Sequence, residues 1–187
     1  MDISVIVPLY HGRKYFISII NMLQKALQNF EAEIIFVNDY PEERFDDLFE
    51  RCCASVSIRL LQNDRNYGIH ESRVRGLKAA KGEYILFLDQ DDKIDVSYFE
   101  KQMEKIKGYD ACFCNGIFRK DEIIYSIVRP NFTREALLRE KNCIISPGQV
   151  LLRKDSIPVQ WSENIVQNSG TDDYYLWLLM AINQRKI

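Results

Sequence analysis

Glu83-Tyr-Ile-Leu-Phe-Leu-Asp-Gln-Asp-Asp92 decides the fold. An apolar run this short, closed at once by acidic residues, reads as a strand buried on both faces. Such strands belong to parallel sheets covered by helices. Just upstream, residues 69–80 carry helical spacing, and Gly82 past their end reads as a helix stop. Residues 56–61 form another short apolar run. Further back, residues 42–52 follow Pro41 and read as a helix with proline in its first turn. Glu33-Ile-Ile-Phe-Val37 is a second strand, and residues 13–28 a helix with one wide apolar face. Ile3-Ser-Val-Ile-Val7 is the first strand, stopped by Pro8.

Strands alternating with helices predict an α/β chain with a mostly parallel central sheet flanked by helices. Ligands of such sheets sit at the carboxyl ends of the strands. The segments at those ends are Pro8-Leu9-Tyr10, Asn38-Asp39-Tyr40, Gln62-Asn63-Asp64 and Asp89-Gln90-Asp91. Three of the four carry Asp, and all are expected on one rim.

The second half is less regular. Residues 96–107 are expected as a helix, 109–114 and 122–128 as strands, and 133–139 as a short helix capped by Thr133. Residues 149–152 are a further strand. Residues 156–170 read as a polar mobile loop that orders over bound ligand, and 171–183 as the last helix.

The chain has 187 residues, enough for one core without disulfides or metal. With 25 Lys and Arg against 27 Asp and Glu, its net charge of -2 gives no electrostatic case for nucleic-acid binding. The five cysteines (Cys52, Cys53, Cys112, Cys114, Cys143) lack zinc spacing and are expected as reduced thiols. No stretch approaches a membrane span, and the N-terminus lacks the basic and apolar regions of a signal peptide. The expected location is the cytoplasm, at the inner face of a membrane through a partner. Motifs for dinucleotide binding (GxGxxG), the P-loop and the nucleophile elbow are absent.

Several residues carry chemistry, each with a plainer structural alternative. Asp89 and Asp91 together can share Mg²⁺ or Mn²⁺ with a phosphate, or simply cap the next helix. Asp39 can accept from a nucleobase N–H, or serve a turn. Asn66-x-Gly68 and Arg73 bring a cation toward the same rim, unless Arg73 lies on a solvated helix face. Asp172 and Asp173 open the last helix, as caps or as a general base that the helix dipole keeps ionised.

Five stretches in this order and spacing resemble the GT-A fold, family 2 inverting glycosyltransferases. They are Val5-Ile-Val-Pro-Leu-Tyr10, Glu33-Ile-Ile-Phe-Val-Asn-Asp39, Asn66-Tyr-Gly68 with Arg73 and Gly76, Ala80-Lys-Gly-Glu-Tyr-Ile-Leu-Phe-Leu-Asp-Gln-Asp-Asp92, and Gly170-Thr-Asp-Asp173. The resemblance implies a single Rossmann-like GT-A domain over residues 1–187. Residues 1–92 would be the nucleotide-sugar donor half and 93–187 the acceptor half. It implies that Pro8, Leu9, Tyr10 and Asp39 hold the nucleoside, with Asn66, Gly68 and Arg73 beside the donor. Asp89 would face ribose and metal, Asp91 would ligate Mn²⁺ or Mg²⁺, and Asp173 would be the base with Asp172 beside it. The implied reaction moves a sugar from a UDP-sugar to an acceptor hydroxyl with inversion. The acceptor would be a glycan, glycolipid or glycoprotein of a bacterial surface.

Departures from the family pattern are Val74 where Asn commonly follows the helix Arg, and Tyr40-Pro41 after Asp39. No Gln-x-x-Arg-Trp stands near the C-terminus, which argues against a processive synthase. Two other readings are a non-catalytic binding module and a haloacid-dehalogenase-like phosphatase, whose Asp-x-Asp normally ends the first strand rather than the fourth. The chain stops one helix after Asp173. The expectation is therefore a chain truncated at its C-terminus, or a minimal transferase that borrows acceptor surface from a partner transferase or a second copy in a homo-oligomer.

Overall fold

Strands β1 (Ile3–Leu9) and β2 (Ala32–Asn38) are buried at every position, as β-branched and aromatic runs covered on both faces must be. These strands belong to a computed structural model, which describes residues 1–52, 54–120, 123–130, 133–139, 142, 144–167 and 170–187. Cys53 and Cys143 lie outside the described residues; Cys112 and Cys114 are free thiols, and burial pushes the Cys114 pKa up to about 11.

A six-stranded sheet runs in the order β3 (Ser57–Gln62), β2, β1, β4 (Tyr84–Phe87), β8 (Val150–Arg153), β5 (Ala111–Phe113). The first four strands are parallel, and β8 lies antiparallel between β4 and β5. Strand order reverses between β1 and β4, which is where sheets of this kind bind ligands. Helices cover both faces. Val5, Val7 and Leu9 pack with Phe16, Ile20 and Leu23 of α1 (Phe16–Ala26) on one side. Phe99 of α4 (Tyr98–Lys105) joins them. On the other side Ile6, Ile35 and Val37 pack with Val74 of α3 (Ile69–Ala79) and with Leu176 and Trp177 of α7 (Asp172–Ile182).

Several expectations need correction. Pro8 does not stop β1; it sits past the β1–β4 ladder, whose register ends at Ile6 with Phe87, so its missing N–H is not needed there. The helix expected over 42–52 shortens to α2 (Asp46–Glu50), because Glu43 turns back to accept the Gly12 and Arg13 N–H groups at 2.9 and 3.1 Å. Gly82 is not a left-handed helix stop. A Cβ there would lie 2.4 Å from the Ser4 N, so glycine is required by close approach to β1.

The region 116–120 was not read as a strand, yet it forms β6 (Gly116–Lys120), paired with β7 (Ile123–Val128) in a separate antiparallel ribbon. Thr133 caps α5 (Arg134–Arg139) as expected, accepting the Ala136 N–H at 3.1 Å. The stretch read as a mobile loop contains α6 (Val159–Glu163), and its Trp161 is wholly buried. One buried indole outweighs a polar run of neighbours. No helix among the described residues is long and apolar enough to cross a membrane.

Candidate functional site

The carboxyl ends of β1, β2 and β4 and the start of α7 meet on one rim, as the topology requires. Asp39 follows β2. Its Oδ1 accepts the Asn63 side-chain amide at 2.7 Å and the Tyr67 N–H at 2.8 Å, and its Oδ2 accepts the Gly68 N–H at 2.8 Å. Asn66 Oδ1 also accepts the Gly68 N–H, at 2.9 Å. Asp39 thus shapes the loop before α3, and Gly68 takes φ +87° there, a conformation that favours glycine. A carboxylate offers about four acceptor positions, so three bonds leave Asp39 room for one donor from a ligand.

After β1, Leu9 is wholly buried and its carbonyl accepts the Asp39 N–H at 2.8 Å. Pro8 is buried too. Both help to build the floor of the rim. The Tyr10 backbone is also taken: its N–H donates to Gln90 Oε1, and its carbonyl accepts from Gln90 Nε2, each at 3.0 Å. What Tyr10 presents is its ring, 47% exposed and edge-on to Tyr40 at 5.6 Å.

Gln90 was not among the sequence candidates. Residues 89–92 make a turn, the Asp92 N–H donating to the Asp89 carbonyl at 3.1 Å, and Gln90 leaves that turn toward the end of β1. It ties the acidic loop to the Tyr10 loop. Asp91 is exposed on the rim. Asp92 accepts from the Ser146 hydroxyl, which ties the same loop to the segment before β8. Burial pushes the Asp92 carboxyl up; the serine bond opposes this, and the charges of Asp89 and Asp91 reinforce it.

Arg73 overturns the solvated-face alternative. It is 3% exposed. Nη2 donates to Asp89 Oδ1 at 2.5 Å and Nη1 to Asp172 Oδ2 at 2.6 Å. Burial opposes the guanidinium charge, but the two carboxylates outweigh it and hold its pKa above the ordinary value. Asp172 is 0% exposed, so it does not cap α7 toward solvent. Asp89, Arg73 and Asp172 form a buried bridge between the end of β4 and the start of α7.

Asp173 is 8% exposed; its Oδ2 accepts from Asn142 at 3.3 Å and its Oδ1 from the Tyr174 N–H at 2.6 Å. The dipole argument expects a low pKa, yet burial pushes the carboxyl up, with backbone, Arg73 and Asn142 only partly opposing it. That direction strengthens it as a base.

For a divalent cation the chemistry of the donors fits. Asp91 is an exposed hard oxygen donor, and Arg73 takes one oxygen of Asp89 while the other is left. Among the described residues no three metal-binding side chains gather into a cage. Sites that hold Mg²⁺ through one or two carboxylates and complete it with substrate phosphates have this form.

Over residues 4–160 the chain matches the model of glycosyl transferase family 2. It is 34% identical over 183 residues to the poly(ribitol-phosphate) beta-N-acetylglucosaminyltransferase TarS of Staphylococcus aureus, covering 84% of this chain and 31% of that one. It is 29% identical over 111 residues to the glycosyltransferase GlyG of Streptococcus pneumoniae, covering 58% of this chain and 36% of that one. Among solved structures, S. aureus TarS 1–349 in complex with UDP superposes with a TM-score of 0.71 at 22% identity, covering 98% of this chain and 56% of that one. The complex of TarS 1–349 with UDP-GlcNAc gives 0.68 at 24% identity, over 97% of this chain and 53% of that one. The chain therefore spans about a third of the length of these curated relatives and about half of the solved chains. The expected GT-A architecture is borne out, and this chain belongs to glycosyl transferase family 2.

Proposed function

We propose that this chain transfers a sugar from a UDP-sugar to an acceptor hydroxyl, with inversion. One observation carries the reading: buried Asp173 and exposed Asp91 are held on one rim by the Asp89–Arg73–Asp172 bridge. A base and a diphosphate-side carboxylate are thereby fixed relative to each other before any ligand arrives. Such preorganisation is what a displacement needs. The solved UDP and UDP-GlcNAc complexes of TarS support the donor class.

In this reading residues 1–92 bind the donor and 93–187 face the acceptor. Tyr10 stacks on the base, and Asp39 accepts a base or ribose donor with its remaining position. The loop of Asn66 and Gly68 closes that side. Asp91 and the free oxygen of Asp89 would hold Mn²⁺ or Mg²⁺, which when bound would neutralise charge on the leaving diphosphate. Asp173 takes the acceptor proton as the oxygen attacks the anomeric carbon opposite that leaving group. The acceptor is a surface glycan, glycolipid or glycoprotein, met in the cytoplasm at the inner face of a membrane.

Thermal unfolding in UDP with and without Mn²⁺ tests the donor site. UDP at a hundredfold excess over its Kd should stabilise the fold by about 2.7 kcal/mol. Asp91→Ala should abolish the part that depends on Mn²⁺; unchanged stabilisation would remove Asp91 from the metal site. The pH profile tests the base. Asp173 must be ionised to act, and its pKa is raised. Transfer should therefore fall on the acid side at a pH above the ordinary carboxylate value of about 3.9. An acid limb at or below that value would count against the assignment.

A further inference from the structure

His70 is a buried imidazole for which the proposed chemistry has no use. It is the second residue of α3, 1% exposed, three residues before Arg73 and so on the same helix face. Nδ1 accepts the Val166 N–H at 2.9 Å. A nitrogen that accepts carries no proton, so the neutral ring must carry its proton on Nε2. Nε2 is buried and meets no acceptor at hydrogen-bonding geometry. The ring lies 4.6 Å from Trp161 and edge-on to Tyr175 of α7 at 6.5 Å. Trp161 in turn donates its indole N–H to the backbone carbonyl of Asp172, at 2.8 Å. One side chain of α3 thus touches α6, α7 and residue 166.

These contacts converge on the turn that carries Asp173. Asp172 has its carboxylate fixed by Arg73 and its carbonyl fixed by Trp161. Its neighbour Asp173 can therefore turn only as far as both ties allow. Trp161 is held by His70, and His70 by Val166. We propose that His70 is a positioning residue: through Trp161 it sets the first turn of α7, and with it the Asp173 carboxylate, against the acidic loop after β4. This rests on the transferase reading above.

The tie works in one protonation state. A doubly protonated ring would point an N–H from Nδ1 at the Val166 N–H, two donors face to face. The charged groups around the ring are Asp172 on α7 and Arg73 and Glu71 on α3, with the Trp161 backbone beside it. Burial holds the proton affinity below the ordinary histidine value; Asp172 and the Trp161 backbone oppose that and Arg73 adds to it. The neutral, competent form is thus the resting one near neutrality.

The experiment compares His70→Phe, which keeps a ring against Trp161 but not the acceptor for Val166, with His70→Ala, which removes both. His70→Phe should lower kcat for transfer between about 10- and 10²-fold, the scale of a misplaced catalytic group. The KM for UDP-GlcNAc, used as probe donor, and the affinity for UDP should stay within about twofold, since donor contacts are untouched. His70→Ala should lose more than His70→Phe, because the ring against Trp161 goes as well. Wild-type kcat or a matching fall in UDP affinity for His70→Phe would overturn the proposal, as would a loss for His70→Ala no larger than for His70→Phe. Amide exchange supplies an arm that needs no activity. His70→Phe should speed exchange both at residues 164–167 and in the first turn of α7. Faster exchange at 164–167 alone would overturn the positioning role. If wild type neither binds UDP nor transfers sugar, the transferase reading fails, and with it the proposal.

Discussion

Asp173→Asn should bind UDP as wild type does and transfer sugar about 10²–10⁴-fold more slowly, the usual worth of a positioned general base. The substitution keeps the shape of the side chain. Its amide oxygen still accepts the Tyr174 N–H, and its NH2 keeps a bond to Asn142 once that amide turns its own oxygen inward. What it loses is the site for the acceptor proton. Removing the raised carboxyl also removes a burial penalty, so the fold should be no less stable than wild type near neutral pH. Single-turnover transfer from UDP-GlcNAc, read beside UDP titration calorimetry, separates the two effects. Near-normal transfer would sink Asp173 as the base. Equal loss of UDP binding would mean that the residue supports the donor site instead.

Arg73→Met should destabilise the fold by about 3–5 kcal/mol, because it strands the Asp172 carboxylate in the interior without its partner. Asp89 suffers less, since its side chain is 29% exposed and can be hydrated. The double variant Arg73→Met, Asp172→Leu removes the stranded charge and should recover most of that loss, as buried ion pairs replaced by apolar groups often do. It should still fail to transfer sugar, because the bridge that orients α7 against Asp89 is gone. Urea unfolding of the two variants checks the stability claim. A destabilisation below about 1 kcal/mol for the single variant would place the bridge among weak surface pairs instead. Recovered transfer in the double variant would show that the bridge is not needed for positioning.

Much of the donor half was legible in the chain. Apolar runs such as Ile3-Ser-Val-Ile-Val7 and the one ending at Leu88 announce strands buried on both faces, and each became one. The errors have physical causes. The loop expectation for 156–170 failed at Trp161, one large side chain whose burial decides the segment although its neighbours are polar. The helix over 42–52 lost its first turn to a long-range bond, Glu43 to the start of α1, which no local pattern shows. The β6 strand went unread because its pairing with β7, and not its own periodicity, makes it a strand.

At the site, local spacing placed Asp39, Asp89, Asp91 and Asp173 on one rim, because a strand end or a helix start fixes where its next residue lies. It did not reveal what those residues bind. Arg73 and Asp172 lie 99 positions apart and share a hydrogen bond. Gln90 reaches back 80 positions to clamp Tyr10. His70 meets Val166 across 96.

The sequence by itself determined the sheet, its ligand edge and the family, since periodicity and motif spacing are local properties of the chain. Tertiary structure decided which carboxylates are open to a ligand and which are spent on Arg73. Burial and pairing depend on what distant segments bring to the same place. The buried bridge therefore appears only when α3, β4 and α7 have packed together.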